Sequence, residues 1–297
     1  MITLAMTAGI AYRDRVQLSP SKLDAWTTCP RRFWHSAIAR TPGRPWAHFG
    51  LGNAVHRALK DWWDVPHAVR DPDQARALVR KHWRSAGFAD AQQAERWRLR
   101  AEDMVCTYLE RLDPAWEPVG RERRLGARFD GVSVNGQIDR LDEDPQDADA
   151  LIVVDYKTGS SVPSVEQVRS SMPLAIYALM VQRTLKRRCL RVELHHLPSG
   201  QVACWEHSAH TLDRHRQRID DLAHEIIDAV TRWRNSAQDD ADRDALFPAT
   251  ASALCGYCDA WSLCPTGQAA TAQRAPWDGL AESPADAPSA RGLEPTD

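Results

Sequence analysis

The stretch ALIVVDYKTG (Ala150–Gly159) sets the tightest limit on the fold. An unbroken apolar run of β-forming residues ends abruptly in Asp155, Tyr156 and Lys157, with Gly159 close behind. Such a run reads as a strand buried on both faces, and a buried strand that stops in charge delivers those charges to one place. Residues i and i+2 of a strand point to the same side, so Asp155 and Lys157 share a face of whatever sheet this strand joins.

The neighbouring sequence supplies that sheet. GRERRLGARF (Gly120–Phe129) and VSVNGQIDRL (Val132–Leu141) precede it, separated by DG and by the acidic turn DEDPQDADA, which predicts a meander of three antiparallel strands. Upstream the period is helical. Ser19 and Pro20 give a cap and a first turn, and Leu51, Val55, Leu59 and Trp62 recur at helical spacing. Further helices are expected near Asp73 to Trp83 and Ala91 to Leu112. Downstream come a helix from about Val165 to Lys186, two strands (CLRVELHHL and QVACWEHS) joined by the turn PSG, and a helix from Leu212 to Trp233. Beyond Thr266 the Ala, Pro, Ser and acidic residues lack periodicity and predict a disordered tail. The fold class is α/β, with an extension over 1–17, one domain over 18–265 and the tail over 266–297.

A chain of 297 residues with 43% hydrophobic content can bury a substantial core. Its net charge of −2 excludes a uniformly basic nucleic-acid coat, while RERR (Arg121–Arg124) and RTLKRRCLR (Arg183–Arg191) leave room for a positive groove. No apolar run approaches the roughly 18 residues of a membrane helix, and the start lacks a signal-peptide pattern, so the expected location is the cytoplasm. Seven cysteines, an odd number, then argue against a disulfide framework and for metal or cluster ligation by some of them. Cys106, Cys189 and Cys204 lie in apolar-periodic segments and are expected in the core.

If the meander pairs as predicted, Asp139 in GQIDRLDED reaches the same spot as Asp155. Two converging carboxylates suit a hard divalent cation such as Mg²⁺, which would lower the pKa of a bound water and neutralise charge on a phosphate, with Lys157 holding the water or a phosphoryl oxygen. That is an arrangement for phosphodiester hydrolysis. A D-x-K tripeptide alone reads more readily as a surface ion pair at a strand end, and it is the abrupt charged end of the apolar run that favours the catalytic reading.

The ordered set CPRRF, GNAVHRAL, GQIDRLDE, VVDYKTG, PLAIYAL and CGYCDAWSLCP resembles the RecB-like branch of the PD-(D/E)XK nuclease superfamily, and more narrowly the members that carry an iron–sulfur cluster, including the AddB nuclease domain and the CRISPR-associated adaptation nucleases. The likeness runs from about Leu18 to Pro265. It implies a restriction-endonuclease-like core, a mixed central sheet flanked by helices, with a helical N-terminal portion and an iron–sulfur clasp. It further implies that His56, Asp139 and Asp155 are metal ligands for Mg²⁺ or Mn²⁺, that Lys157 is the catalytic lysine, that Tyr177 lies near the DNA backbone and the catalytic centre, and that Glu122 supports the site. The family's glutamine four residues before the tyrosine is here Pro173, which shifts the helix start towards Pro173 and moves any phosphate contact to another residue, Arg169 or Ser171.

The cysteines divide in the same light. C-x2-C-x5-C (Cys255, Cys258, Cys264) lacks the second close pair of a zinc ribbon, and its fourth partner is Cys29, followed by a proline as Cys264 is. Four such thiolates suit a [4Fe-4S] cluster better than tetrahedral zinc, and the resemblance points the same way. Ligation would tie the two ends of the domain together. Twelve tryptophans, several beside arginines (RRFW, RWRLR, TRWRN), suit stacking on single-stranded nucleic acid, with Arg31, Arg32 and Trp34 as contacts, against the plainer reading of Trp62, Trp63 and Trp97 as helix packing. The expected activity is a DNA exonuclease acting on single-stranded ends in recombination or repair, beside a helicase partner that this chain, having no Walker A motif, would need for unwinding. The alternatives are a catalytically silent iron–sulfur DNA-binding scaffold serving a helicase, and a zinc-stabilised structural protein.

Overall fold

The computed structural model describes residues 17–113, 116–130 and 132–280. The chain begins with α1 (Pro20–Thr28), α2 (Pro30–Phe33) and a short π-helical turn (Trp34–Ile38), followed by α3 (Ala47–Trp62), α4 (Pro72–His82) and α5 (Ala91–Leu109). The sheet strands β1 (Gly120–Phe129), β2 (Val132–Asp144) and β3 (Asp147–Lys157) come next, then α6 (Val165–Ser170), α7 (Met172–Thr184), β4 (Arg191–His196) and β5 (Gln201–Glu206). The long α8 (Ala209–Arg234), α9 (Asp240–Leu246) and α10 (Pro265–Ala270) complete the element order.

The five strands lie in sequence order, β1-β2-β3-β4-β5, with β1 to β3 antiparallel, β4 parallel to β3 and β5 antiparallel to β4. This is the mixed sheet flanked by helices that the sequence predicts. The parallel step requires a crossover, and α6 and α7 provide it. The expected single helix from Val165 is two helices, because Ser171 is extended and caps α7, accepting a 3.4 Å bond from Leu174 N–H with Pro173 in the first turn.

Both sheet faces are covered, which explains the unbroken apolar run. Leu151 and Val153 pack with α1, α2, α7 and α8 on one side, while Ile152, Val154 and Tyr156 pack with α3, α4 and α5 on the other. Rings seal the join of the N-terminal helices to α8: Phe33 stacks on Phe247 at 6.5 Å, and Trp26, Trp34 and Trp233 meet their neighbours edge-on. Arg31 is part of that join, so the expectation that it contacts DNA is corrected. Its guanidinium is buried, donates to Phe247 O at 2.9 Å and pairs with Asp244. Trp34 likewise packs at 5.7 Å against Trp233, whereas Arg32 is exposed. Cys106 and Cys189 are buried as expected, but Cys204 is exposed, since alternation along the edge strand β5 turns its neighbour Ala203 inwards instead.

The tail expected to be disordered from residue 266 is ordered further than predicted. α10 continues to Ala270, and residues 271–280 run back over the molecule as a non-helical strap that ends in turns: Arg274 N–H donates to Gly256 O at 2.9 Å, Pro276 O accepts from Ala47 N–H at 3.0 Å, and Leu280 is buried. Backbone bonds to other segments hold it, which composition and periodicity do not register. Residues 1–16 and 281–297, the remainder of the expected extension and tail, lie outside the described residues.

Candidate metal centre

The β2–β3 ladder ends at Arg140 opposite Val154, and one step further the strands part. There Tyr156 N–H donates at 2.9 Å to Asp139 Oδ2, a side chain taking the place of the ladder. Asp155 and Lys157 follow on β3 as alternation demands, on one side, with Lys157 Nζ 2.5 Å from Asp155 Oδ2. His56, on the middle of α3, brings Nδ1 to 3.3 Å from Asp139 Oδ1 and stands edge-on to the Tyr156 ring at 5.7 Å.

Glu122 enters through a local distortion of β1. The β1–β2 register pairs Arg121 with Arg140 and Arg123 with Ile138, so Glu122 stands opposite Asp139 with no residue inserted, and its φ of 45° interrupts the ladder at that step. A left-handed glutamate costs about 1–2 kcal/mol. Here the carboxylate reaches 3.8 Å from His56 Nδ1 and accepts from the Gln137 amide. The donor atoms of His56, Glu122 and Asp139 lie within 4.8 Å of one another, the one such group of potential metal ligands among the described residues. Sequence reasoning assigns Glu122 only a supporting place, and its one signal is an acid embedded among three arginines in RERR. Tyr177 completes the surroundings. Its ring lies against β2 at Gly136, where an added Cβ would come within 2.7 Å of the tyrosine Cε1, so the glycine of GQIDR makes room for it.

The electrostatics report a surplus of negative charge. Burial opposes protonation of His56, but hydrogen bonds to Asp139 and Glu122 and the charges of Asp139 and Asp155 outweigh it and raise the imidazole to about 10. Burial and the Asp139 charge push the Asp155 carboxyl up, against the pull of Lys157 and His56. Burial and the charges of Asp155, Asp139 and Glu122 push the Tyr177 hydroxyl well above its usual range. Oxygen donors with an imidazole, held together against their own repulsion, are a fitting donor set for a hard divalent cation. A cavity of about 1030 Å³ opens onto His56, Tyr156 and Lys157 and is walled by Phe49, Trp97 and Arg100. Of the residues proposed in place of the family glutamine, the Ser171 hydroxyl accepts from Leu174 N–H as the cap of α7, and Arg169 pairs with Glu166 and lies over Trp205 at the β5 edge.

The four cysteines singled out in the sequence line one separate cavity of about 140 Å³. Cys29, between α1 and α2, accepts from Thr250 N–H at 3.4 Å, Cys255 from Ser252 N–H at 3.4 Å and Cys264 from Gly267 N–H at 3.4 Å. Backbone donors aimed at sulfur are the surroundings a thiolate needs. No three of these sulfurs lie within 4.8 Å of one another.

A model of the PD-(D/E)XK nuclease superfamily matches residues 17–265. Among solved structures 26 chains match. One of them, titled "Crystal structure of SSO0001", is 15% identical with a TM-score of 0.37 over 86% of this chain and 88% of that one. No curated protein matches the chain. Among the described residues no helix is long and apolar enough to cross a membrane.

The raised imidazole makes a prediction about the metal-free protein. Because the folded value of about 10 exceeds the ordinary 6.5, His56 contributes stability fully below about pH 6.5 and loses it as pH rises towards 10. Ring ¹⁵N shifts are expected to show His56 still protonated at pH 8, and addition of Mn²⁺ or Zn²⁺ to release that proton. A neutral His56 at pH 8 without metal would contradict the charge balance described.

Proposed function

The chain belongs to the PD-(D/E)XK nuclease superfamily, and from that premise we propose that it hydrolyses DNA phosphodiester bonds with Mg²⁺ or Mn²⁺, as an exonuclease on single-stranded ends in recombination or repair. The observation that carries this reading is the convergence of His56, Glu122 and Asp139 beside the Asp155–Lys157 pair at the mouth of one large cavity. His56, Asp139 and Asp155 would hold the cation, with Glu122 either joining them or fixing His56. When bound, the cation supplies Lewis-acid charge at the phosphate and a lowered pKa for water.

The chain's own groups account for the rest. The Lys157 ammonium is half exposed at the cavity edge and near enough to Asp155 to orient a water or a phosphoryl oxygen without leaving its carboxylate. Tyr177, kept protonated by its surroundings, is a hydroxyl donor on the same side. The exposed Phe49 gives the cavity a surface on which an unpaired base can stack, while Trp97 is buried in the helical layer, as the packing reading expects, with Arg100 over its ring at 4.8 Å. Unwinding is assigned to a helicase partner.

Cys29, Cys255, Cys258 and Cys264 are proposed to hold a [4Fe-4S] cluster. One tetrahedral zinc with Zn–S of about 2.3 Å needs its four sulfurs about 3.8 Å apart, and no three of these come within 4.8 Å of one another, whereas a cluster spreads its ligands. Its role is structural, since it would close a loop of more than two hundred residues.

On end-labelled single- and double-stranded DNA, prepared anaerobically and assayed with Mg²⁺ and with Mn²⁺, the wild type is expected to degrade the single strand from its end, and Asp155→Ala and Lys157→Ala to lose about a hundredfold or more. A wild type without cleavage, or equally active variants, would end the nuclease reading. Cys29→Ser is expected to lose visible absorbance and to lower the unfolding midpoint together. Bleaching with an unchanged midpoint would remove the structural role.

A further inference from the structure

Behind the metal centre, on the face of β2, β3 and β4 that packs against α5, lies a buried polar network. Arg140, Asp142, Tyr108, Tyr156, Glu193 and His195 are each less than a tenth exposed. The bonds run in one direction. Arg140 donates to the Tyr108 oxygen at 2.7 Å, Tyr108 O–H donates to His195 Nδ1 at 2.8 Å, and His195 Nε2–H donates to Glu193 at 2.7 Å, which also takes 2.7 Å from Arg191 Nε. A neutral His195, which burial favours, fits every proton in this chain. Arg140 further pairs at 2.9 Å with Asp142, reaches the Tyr156 hydroxyl at 3.4 Å and lies over the Tyr156 ring at 5.6 Å.

Three members adjoin groups of the site along the chain or across the register, on the strand face opposite Asp155 and Lys157, with His56 of α3 on the network's own side. Arg140 follows Asp139, Tyr156 separates Asp155 from Lys157, and His195 is the register partner of Tyr156 on β4. At this level the β2–β3 ladder has already ended, so backbone hydrogen bonds no longer set how far Asp139 stands from Asp155. Tyr156 is instead fastened twice, by its N–H to Asp139 on one side and by its ring and hydroxyl to Arg140 on the other.

We infer that Arg140, Tyr108 and His195 are positioning residues that fix the separation of the Asp139 and Asp155 carboxylates from the reverse face of the sheet, and thereby set the affinity of the site for a divalent cation. The inference rests on the reading of those carboxylates as cation ligands. Stability gives no reason for such a network, since a buried ion pair can often be replaced by packed apolar side chains without loss. Metal sites do give one, because groups that hold the ligands commonly govern affinity by 10- to 100-fold.

Mn²⁺ binding to the purified full chain, followed by electron paramagnetic resonance with Asp155→Asn as the blank, tests it without depending on cleavage. Tyr108→Phe keeps the ring and deletes both hydrogen bonds, and is expected to weaken Mn²⁺ binding by about tenfold or more. Val79→Ala, a cavity in α4 within the same helical layer but outside the network, is expected to lower the unfolding midpoint and leave Mn²⁺ affinity within about twofold. If Tyr108→Phe does not fold, Tyr156→Phe, which removes only the 3.4 Å bond, is expected to weaken binding in the same direction by less. Unchanged affinity in the phenylalanine variant, or an equal loss in Val79→Ala, would overturn the inference. A wild type that binds Mn²⁺ without cutting DNA would defeat the nuclease reading and leave this one standing, and a wild type that binds none would defeat both.

Discussion

Mutual repulsion among Asp139, Asp155 and Glu122 is what the rest of the architecture has to contain. At an effective dielectric of about 20, two like charges about 4 Å apart repel by about 4 kcal/mol, a large share of the net stability of an ordinary domain. The protein places a cationic imidazole among them and an ammonium at their edge, and the raised His56 records how strongly the site wants positive charge. A divalent cation answers that demand better than a proton. The departure of β2 from β3 gives the cation room, and the Tyr156 N–H keeps Asp139 from swinging away once the ladder has ended.

Holding such a centre requires rigid surroundings on every side, and the two cores provide them. α3 carries His56 beside a face buried through Val55, Ala58 and Leu59, which anchors the helix that holds the imidazole against the sheet. α7 presses Tyr177 over Gly136 from the other core. The cysteine cavity and the metal cavity share a wall at His48 and Phe49, in the first turn of α3, so whatever fastens the cysteine loop also steadies the helix that bears His56.

Much of this was legible from the chain itself because it depends on short-range rules. The five strands follow from alternation and turn residues, and a both-faces-buried β3 follows from its unbroken apolar run. The grouping of Asp155 with Lys157 follows from alternation, whereas that of His56 with Asp139 is implied only by the resemblance to the nuclease family. What escaped depends on particular long-range contacts. The turn that brings Glu122 opposite Asp139 towards His56 is a positive φ on a residue with no special preference for it. Arg31 looks like any surface arginine until Asp244 and Phe247, more than two hundred residues away, enclose it. The strap over 271–280 has no periodicity, since it is held by bonds to Ala47 and Gly256 and by its own short turns. The reverse-face network is equally hidden, its members scattered over four elements and each individually unremarkable in sequence.

The central claim is that one divalent cation binds where β2 and β3 part. Anomalous diffraction from crystals grown with Mn²⁺ tests it most directly. The account predicts a single strong peak about 2.0–2.3 Å from carboxylate oxygens of both Asp139 and Asp155 and from the His56 imidazole. A peak elsewhere, or none while Asp155 remains paired with Lys157, would contradict it.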